Sequence, residues 1–307
     1  MEKARQNGQS LKFLPKNRTT ALINTSRSKS GSARLAEAER LLAAKAYKPA
    51  HALCLEELNS NPESAQAYYL LGILTADHGN HAKAIELFTR ATLLDSHHAP
   101  AFAQRARREI ARSNREEALH AANAAAALFP TDAHTLDTLG VVYSRAGLHA
   151  RATPFYARAA RKAPDVANYH YNHGAALQFL GDMAAAREAY RRCLEADPLE
   201  TRALSSIVQI TRQTEQENMV SELEAAFKAT RTDPDDALRI GHALAKAHED
   251  LGHSADALDW LHRAKAGKRA TIRHDPSADA ALFDAARSLP ARLTNTKGHT
   301  GAQPIFI

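Results

Sequence analysis

The sequence predicts an all-α fold, a right-handed solenoid of about six to seven helix–turn–helix units stacked in series. Three observations predict it. Small residues and prolines recur every 34 positions, amphipathic helical patterns alternate in pairs, and aromatic residues make up only 6% of the chain. Abundant alanine with few aromatic side chains favours closely packed helices over the core of a β-sandwich.

Residues 1–30 form a segment of their own. They carry seven basic side chains and one acidic one, whereas the 33 basic and 33 acidic groups of residues 31–307 cancel. A neutral body argues against a nucleic-acid partner. Residues 1–30 lack apolar periodicity, so a disordered basic tail is predicted. No signal peptide or membrane span is recognisable, so we expect a cytoplasmic location and no membrane partner.

Residues 31–200 are predicted to hold five units of equal length, each made of two helices. The recurring positions fall into three classes of residue. They are alanines (Ala50, Ala84, Ala118, Ala152 and Ala186), two sets of glycines (Gly72, Gly140 and Gly174; Gly79, Gly147 and Gly181), and prolines (Pro62, Pro130, Pro164 and Pro198).

The unit at 133–166 shows what each class does. Apolar residues at 136, 139, 140 and 143 follow the i, i+3, i+4, i+7 spacing of one helix face. A glycine inside a helix costs about 1 kcal/mol relative to alanine, so Gly140 indicates that a neighbouring helix approaches closely. Gly147 is expected to end the helix in a left-handed conformation. Pro164 then stops the helix pair.

The period of the repeats slips after residue 200. Residues 201–268 contain a degenerate helix pair and then a clearer repeat-like unit at 238–266. Residues 269–307 contain a predicted closing helix, a polar connector and a final Pro-Ile-Phe-Ile stretch. This ending is apolar and favours a β-strand, although nearly everything before it is predicted to be helical.

The repeated units resemble tetratricopeptide repeats, most clearly at 133–166 and 167–200. In the first of these, the residues at the characteristic positions are Leu139, Gly140, Tyr143, Ala152, Tyr156, Ala159 and Pro164. The resemblance implies that the first helices of the units line a concave face, and that this face binds a protein or peptide partner.

The sequence contains no GxGxxG, GxxxxGK[ST], GxSxG or HExxH motif, so no catalytic, cofactor-binding or metal-binding residue is predicted. His170 and His173, three apart on a predicted helix, are the best metal candidates, although packed, hydrogen-bonded histidines are the favoured interpretation. The arginines of 104–118 could form an anionic pocket. The spacing of Arg105 and Glu109 instead favours a salt-bridged helix face.

One row of residues is the candidate peptide-binding site. The sixth position of three successive units holds Gln104, Thr138 and Asn172. One position earlier in their units lie Tyr69, Asp137 and Tyr171. The row resembles the asparagine ladder in the repeat arm of O-linked N-acetylglucosamine transferases, whose amides bind a peptide backbone. The alternative is that these residues are only the polar side of amphipathic helices.

The order of segments after residue 200 resembles the bacterial tetratricopeptide-repeat sulfotransferases, through the HALAKAHEDLGHSADALDWLHRAK stretch and the final PIFI. The resemblance implies the substrate- or partner-binding arm of an enzyme that uses 3′-phosphoadenosine-5′-phosphosulfate. It also implies that the final PIFI is the first strand of an α/β sulfotransferase domain that the chain does not contain. None of that family's catalytic residues can be assigned here, so we expect no cofactor and no activity for this chain alone. A free-standing adaptor without a catalytic half is the alternative, and a glycosyltransferase arm is a third.

Overall fold

The computed structural model describes residues 31–230, 233–273 and 275–288. The basic tail at 1–30 and the strand expected at 304–307 both lie outside the described residues. Within the described residues, the regular secondary structure is helical and contains no strand. The helices are α1 (residues 31–43), α2 (Tyr47–Ser60), α3 (Ala65–Asp77), α4 (His81–Leu94), α5 (Ala99–Ala111), α6 (Arg115–Ala127), α7 (Ala133–Arg145), α8 (His149–Lys162), α9 (Ala167–Phe179), α10 (Met183–Ala196), α11 (Thr201–Ile210), α12 (Val220–Ala229), α13 (Pro234–Asp250), α14 (Ser254–Thr271) and α15 (Pro276–Ser288).

The chain divides into two compact units, Met1–Thr211 and Arg212–Ile307. In the first unit each odd-numbered helix from α3 to α9 packs against the even-numbered helix that follows it. Helix α5 also contacts α7, and α7 contacts α9, so the first helices of successive repeats lie side by side. This is the stacking predicted for a solenoid of helical hairpins.

The recurrent alanines mark where the two helices of a repeat cross. Ala50, Ala84, Ala118, Ala152 and Ala186 all have no exposed surface. The glycines inside the first helices have a related role. A Cβ added to Gly72, Gly140 or Gly174 would lie 2.5 to 2.7 Å from an aromatic ring of the following helix. These rings belong to Phe88, Tyr156 and Tyr190. The close approach predicted from the mid-helix glycines is confirmed.

The turn glycines also behave as predicted. Gly79, Gly147 and Gly181 have φ angles of +78°, +76° and +83°, the left-handed conformation that ends a helix. The two repeats that lack this glycine keep the same turn. Lys45 and Ser113, one repeat before and one repeat after Gly79, take φ angles of +56° and +65°. The backbone of a turn is therefore preserved where the sequence signature is lost.

The two cysteines are buried on helices of the first unit. Cys54 is 1% exposed and Cys193 is fully buried. Burial raises the pKa of the Cys54 thiol to about 11 and that of Cys193 to about 12. Both thiols therefore stay protonated near neutral pH and pack as small apolar groups.

The second unit is built on the hairpin of α13 and α14, with α12 packed against α13. Leu223, Ile240 and Leu244 are fully buried there. A Cβ on Gly241 would lie 2.4 Å from the Cβ of Ala264, so the two helices touch at this point. The C-terminal helix α15 has no buried residue.

Candidate binding face of the first helices

The six predicted peptide-binding residues lie on four first helices of the solenoid. We call the surface made by α3, α5, α7 and α9 the first-helix face. Tyr69 is on α3, Gln104 on α5, and the other four are shared between α7 and α9. Three of the six are buried: Gln104 is 3% exposed, Asp137 5% and Thr138 not at all. The row predicted to face a peptide is thus partly inside the protein.

Buried polar groups of this row bond to one another across repeats. The Gln104 amide nitrogen lies 2.9 Å from His134 Nε2 and 3.5 Å from Thr138 Oγ1. Asn172 donates from its amide to Asp137 Oδ1 at 2.8 Å. Because the partners are 30 to 35 residues apart, each bond joins two neighbouring first helices. A typical bond of this kind adds about 1 kcal/mol to stability.

Burial also affects the charge on Asp137. Removal from water raises the pKa of its carboxyl group, an effect opposed by the hydrogen bond from Asn172 and by Arg107 and His134 nearby. The pKa of His134 is lowered by burial of its ring and by the charge of Arg107. A neutral His134 can accept the hydrogen bond that Gln104 offers. Gln104, Thr138, Asp137 and Asn172 of the predicted ladder therefore bond within the protein.

The two tyrosines of the row stand in different surroundings. Tyr69 packs against the His98 ring, with centroids 4.9 Å apart, and burial raises the pKa of its hydroxyl group to about 12. The Tyr171 ring is covered by the guanidinium of Arg202, 4.3 Å from the ring centroid. Arg202 in turn pairs with Glu200 at 2.6 Å. Each tyrosine thus already has a packing partner within the protein.

Three arginines on this face are not among the six predicted peptide-binding residues, although two of them belong to the stretch 104–118 that was considered as an anionic pocket. They are Arg107 and Arg108 on α5 and Arg145 on α7. In the part of the chain that the structure describes, none of the three has a carboxylate partner. Arg108 has one long contact, 3.5 Å from Nη2 to the side-chain oxygen Oε1 of Gln104. Its Nε is buried and lacks a hydrogen-bond partner among the described residues.

The three arginines lie close enough to influence one another. The pKa of Arg108 is lowered by burial and by the charges of Arg107 and Arg145, while Asp77 opposes the effect. Sequence spacing contains the signal for this cluster. The interval from Arg107 to Arg145 is one repeat plus about one helical turn, so the two project from adjacent first helices. We call these three residues the arginine cluster.

The predicted ion pair between Arg105 and Glu109 was wrong. Arg105 does not pair with Glu109 but with Glu117 on α6, at 3.0 Å. Glu109 instead accepts a hydrogen bond from the Asn114 amide at 2.8 Å. Arg105 is therefore engaged between the two helices of its own repeat.

His170 and His173 line a cavity of about 500 Å³ between α8, α9 and α10. His170 is buried and its Nε2 donates to the Pro164 carbonyl oxygen at 3.0 Å. Burial, His170 and the cationic Arg161 and Arg192 all lower the pKa of His173. Glu188 also lines this cavity, but it pairs with Arg192 at 3.1 Å. The positive neighbours of His173 oppose a bound cation.

Comparison with known proteins identifies the repeats. Residues 65–98 and 167–198 match the model of the tetratricopeptide repeat. No curated protein matches the sequence. No described helix is long and apolar enough to cross a membrane.

Solved structures give the fold. PilF of Pseudomonas aeruginosa superposes with a TM-score of 0.54 at 16% identity, over 76% of this chain and 99% of PilF. A chain of the Cut9–Hcn1 hetero-tetramer of the APC/C gives a TM-score of 0.52 at 19% identity, over 76% of this chain and 42% of that one. The described fold is an all-α solenoid of the tetratricopeptide-repeat type, as the sequence predicted.

Proposed function

We propose that this tetratricopeptide-repeat protein is a scaffold for protein–protein interactions, and that its first-helix face binds a polypeptide segment carrying acidic side chains. The observation that supports this proposal is the arginine cluster. Arg107, Arg108 and Arg145 lie near one another, and none of them forms an ion pair with a carboxylate in the described residues. Their mutual repulsion costs energy, although the charges of Asp77 and Asp137 oppose it. A bound carboxylate would relieve that repulsion and form charge-assisted hydrogen bonds.

The neighbouring polar residues suit an extended chain. Helices α5, α7 and α9 lie side by side, and stacked repeats of this kind form extended surfaces that suit an extended chain. The amides of Gln104 and Asn172 already bond within the protein, so we assign them to holding the helices in register. In this proposal the arginine cluster contacts the partner. The residues of the predicted ladder do not contact it and instead hold the helices that carry the arginines in place.

Fluorescence anisotropy with a labelled Asp- and Glu-rich dodecapeptide tests the proposal. We expect saturable binding that weakens as salt rises, because exposed charges are screened. Arg107→Ala and Arg145→Ala should each weaken it about tenfold, the loss of one charge-assisted hydrogen bond. Arg161→Ala is the matched control, since Arg161 is exposed on the second helix α8.

Three results would argue against the proposal. They are equal affinity for a Lys-rich peptide of the same length, unchanged binding in both arginine variants, and competition by double-stranded DNA as strong as by the acidic peptide. The last of these would identify the cluster as a phosphate-binding surface of a nucleic-acid partner.

A second candidate is that this scaffold is the binding arm of a sulfotransferase. The support is the resemblance of the stretch that begins at His242 and of the segment order after residue 200. That stretch forms most of the α13–α14 hairpin. Calorimetry with 3′-phosphoadenosine-5′-phosphosulfate should show no saturable binding to this chain. A search for a sulfotransferase catalytic partner or for a coding sequence continuous with codon 307 separates the arm from a free-standing adaptor.

A further inference from the structure

Two histidines and an aspartate meet at the turn between α13 and α14, in the second unit. His248 lies in the last turn of α13, His253 precedes α14, and Asp256 lies in its first turn. The backbone N–H of His253 donates to the His248 carbonyl oxygen at 2.8 Å, which fixes the two residues relative to each other. One ligand atom from each of the three side chains lies within 4.8 Å of the other two.

His248 is the observation that points to a ligand. Its side chain is only 13% exposed, and neither ring nitrogen has a hydrogen-bond partner among the described residues. Leaving a buried polar group unsatisfied costs about 1–3 kcal/mol, so such groups are rare. His248 Nδ1 lies 3.9 Å from Asp256 Oδ2, too far for a hydrogen bond and too near for an intervening side chain. The space between them suits a single ion.

We propose that His248, His253 and Asp256 form a binding site for a borderline divalent transition-metal ion such as Zn²⁺. Two imidazole nitrogens and one carboxylate oxygen match the ligands of that class, whereas Mg²⁺ and Ca²⁺ prefer sets made only of oxygen. Three protein ligands leave a fourth position to solvent. The site is separate from the first-helix face and does not depend on the function proposed for it.

The geometry allows the site to close. Ligand atoms around tetrahedral Zn²⁺ are roughly 3.3 Å apart, given bonds of about 2.0–2.1 Å. The present separations, which are at most 4.8 Å, must therefore shrink by up to about 1.5 Å to reach that geometry. His253 and Asp256 have side chains that are 48% and 64% exposed, so they are free to rotate toward the buried His248. Exposure of two ligands also gives the ion a path from solvent.

A fourth residue, Glu215, is placed to orient His253. Glu215 Oε1 lies 3.8 Å from His253 Nε2. The segment that carries Glu215 is anchored, because the Gln213 backbone N–H donates to Asp250 Oδ2 at 3.0 Å and the Gln213 side chain accepts from Met219 N–H at 3.0 Å. Carboxylates commonly hold a metal-binding imidazole by accepting its second N–H. Glu215 would take this positioning role once its carboxylate, now 3.8 Å from His253 Nε2, comes within hydrogen-bond distance.

Calorimetric titration of the untagged full chain with ZnCl₂ tests the site. We expect one Zn²⁺ per chain at micromolar affinity or tighter, and at least a tenfold loss in His253→Ala and in Asp256→Asn. Both substituted residues are exposed, so both variants should fold, which circular dichroism checks. His262→Ala on α14 and His120→Ala on α6 are matched controls, being exposed histidines outside the cluster. They should bind as the wild-type chain does.

Two further measurements use the same proteins. Co²⁺ should give the visible absorption of a four-coordinate site in the wild-type chain and not in His253→Ala, and a hundredfold excess of Mg²⁺ should not compete. Zn²⁺ should raise the melting temperature of the wild-type chain, since binding to the folded state alone stabilises it. Absence of Zn²⁺ binding, or equal binding by His253→Ala and Asp256→Asn, would overturn the proposal.

Discussion

Lys45 and Ser113 adopt left-handed backbone conformations at positions where other repeats carry glycine. An L-residue pays roughly 1–2 kcal/mol to enter this region, because its Cβ approaches the backbone carbonyl oxygen. The surrounding repeat imposes the turn nonetheless, since the hydrogen bond from Asn114 N to Glu109 O depends on it. Packing of the helix pair therefore overrides the local preference of these two residues.

Ser113→Gly should raise the free energy of unfolding by about 1 kcal/mol, because glycine enters the left-handed region without strain. Ser113 is exposed, so little else is lost. Urea unfolding measures the change. Ala111→Gly, on an exposed helical residue two positions earlier, is the control and should cost about 1 kcal/mol. If both variants lose stability equally, the turn at Ser113 carries no strain.

Within a helix pair, the size of one residue sets the size of its partner. Glycine lies in the first helix where an aromatic ring lies in the second, as in Gly140 and Tyr156. Where the second helix carries Ala122 at the equivalent position, the first carries Ala106, and both are fully buried. This degenerate repeat thus keeps its helix pair by a compensating change, which explains why it folds like the others.

Gly140→Ala should lower the free energy of unfolding by about 1–3 kcal/mol, although alanine favours a helix. The added Cβ would lie 2.5 Å from the Tyr156 ring, which is 4% exposed and has little space to move. The loss should largely disappear in a Tyr156→Leu background, as a double-mutant cycle followed by urea unfolding would show.

Gly267→Ala supplies the matched control for that experiment. A Cβ on Gly267, inside α14, would meet no atom within 4 Å. The substitution should therefore stabilise the protein by up to about 1 kcal/mol through helix propensity alone. If Gly140→Ala were also stabilising, the contact with Tyr156 would not be the reason for the glycine.

The 34-residue period predicted the helices well, because each class of recurring residue marks a feature that lies within a single repeat. A turn glycine, a crossing alanine and a mid-helix glycine each act within a single repeat. The candidate site was harder to predict, because contacts such as Gln104 with His134 join different repeats. Whether Thr138 faces solvent or a neighbour depends on how closely first helices approach, and hydrophobic periodicity does not encode that distance.

Arg107 and Arg108 lie in the stretch that was considered as an anionic pocket, but Arg145 and the histidine cluster were missed, for related reasons. Arg107 and Arg145 are separated by one repeat of 34 residues plus about one helical turn, so they become neighbours only when the repeats stack. His248, His253 and Asp256 are close in sequence, but their spacing matches no common metal motif because the turn at Gly252 brings them together. Predicting either cluster therefore requires knowing how a turn or the stacking of repeats brings residues together, which the pattern of a single helix does not show.

The division of the chain after Thr211 separates the two proposed sites. The first unit has its own buried core, with Leu139, Tyr143 and Tyr156 in one cluster and Leu204 and Val208 buried on α11. The arginine cluster lies wholly within that unit. The second unit holds Leu223, Ile240 and Leu244 in its interior and carries the histidine cluster.

Residues 1–211 produced alone should therefore stay helical and unfold cooperatively, because their apolar residues are buried against one another. Their affinity for the acidic peptide should stay within about twofold of the full chain, since the three arginines keep their surroundings. Zn²⁺ should neither bind this fragment with the affinity expected of the full chain nor raise its melting temperature.

Circular dichroism, anisotropy and calorimetry measure these three properties of the fragment. A fragment that is unfolded would show that the first unit needs the second for stability. A folded fragment that binds Zn²⁺ as tightly as the full chain would exclude the turn between α13 and α14 as the metal site, because none of its three proposed ligands lies within residues 1–211.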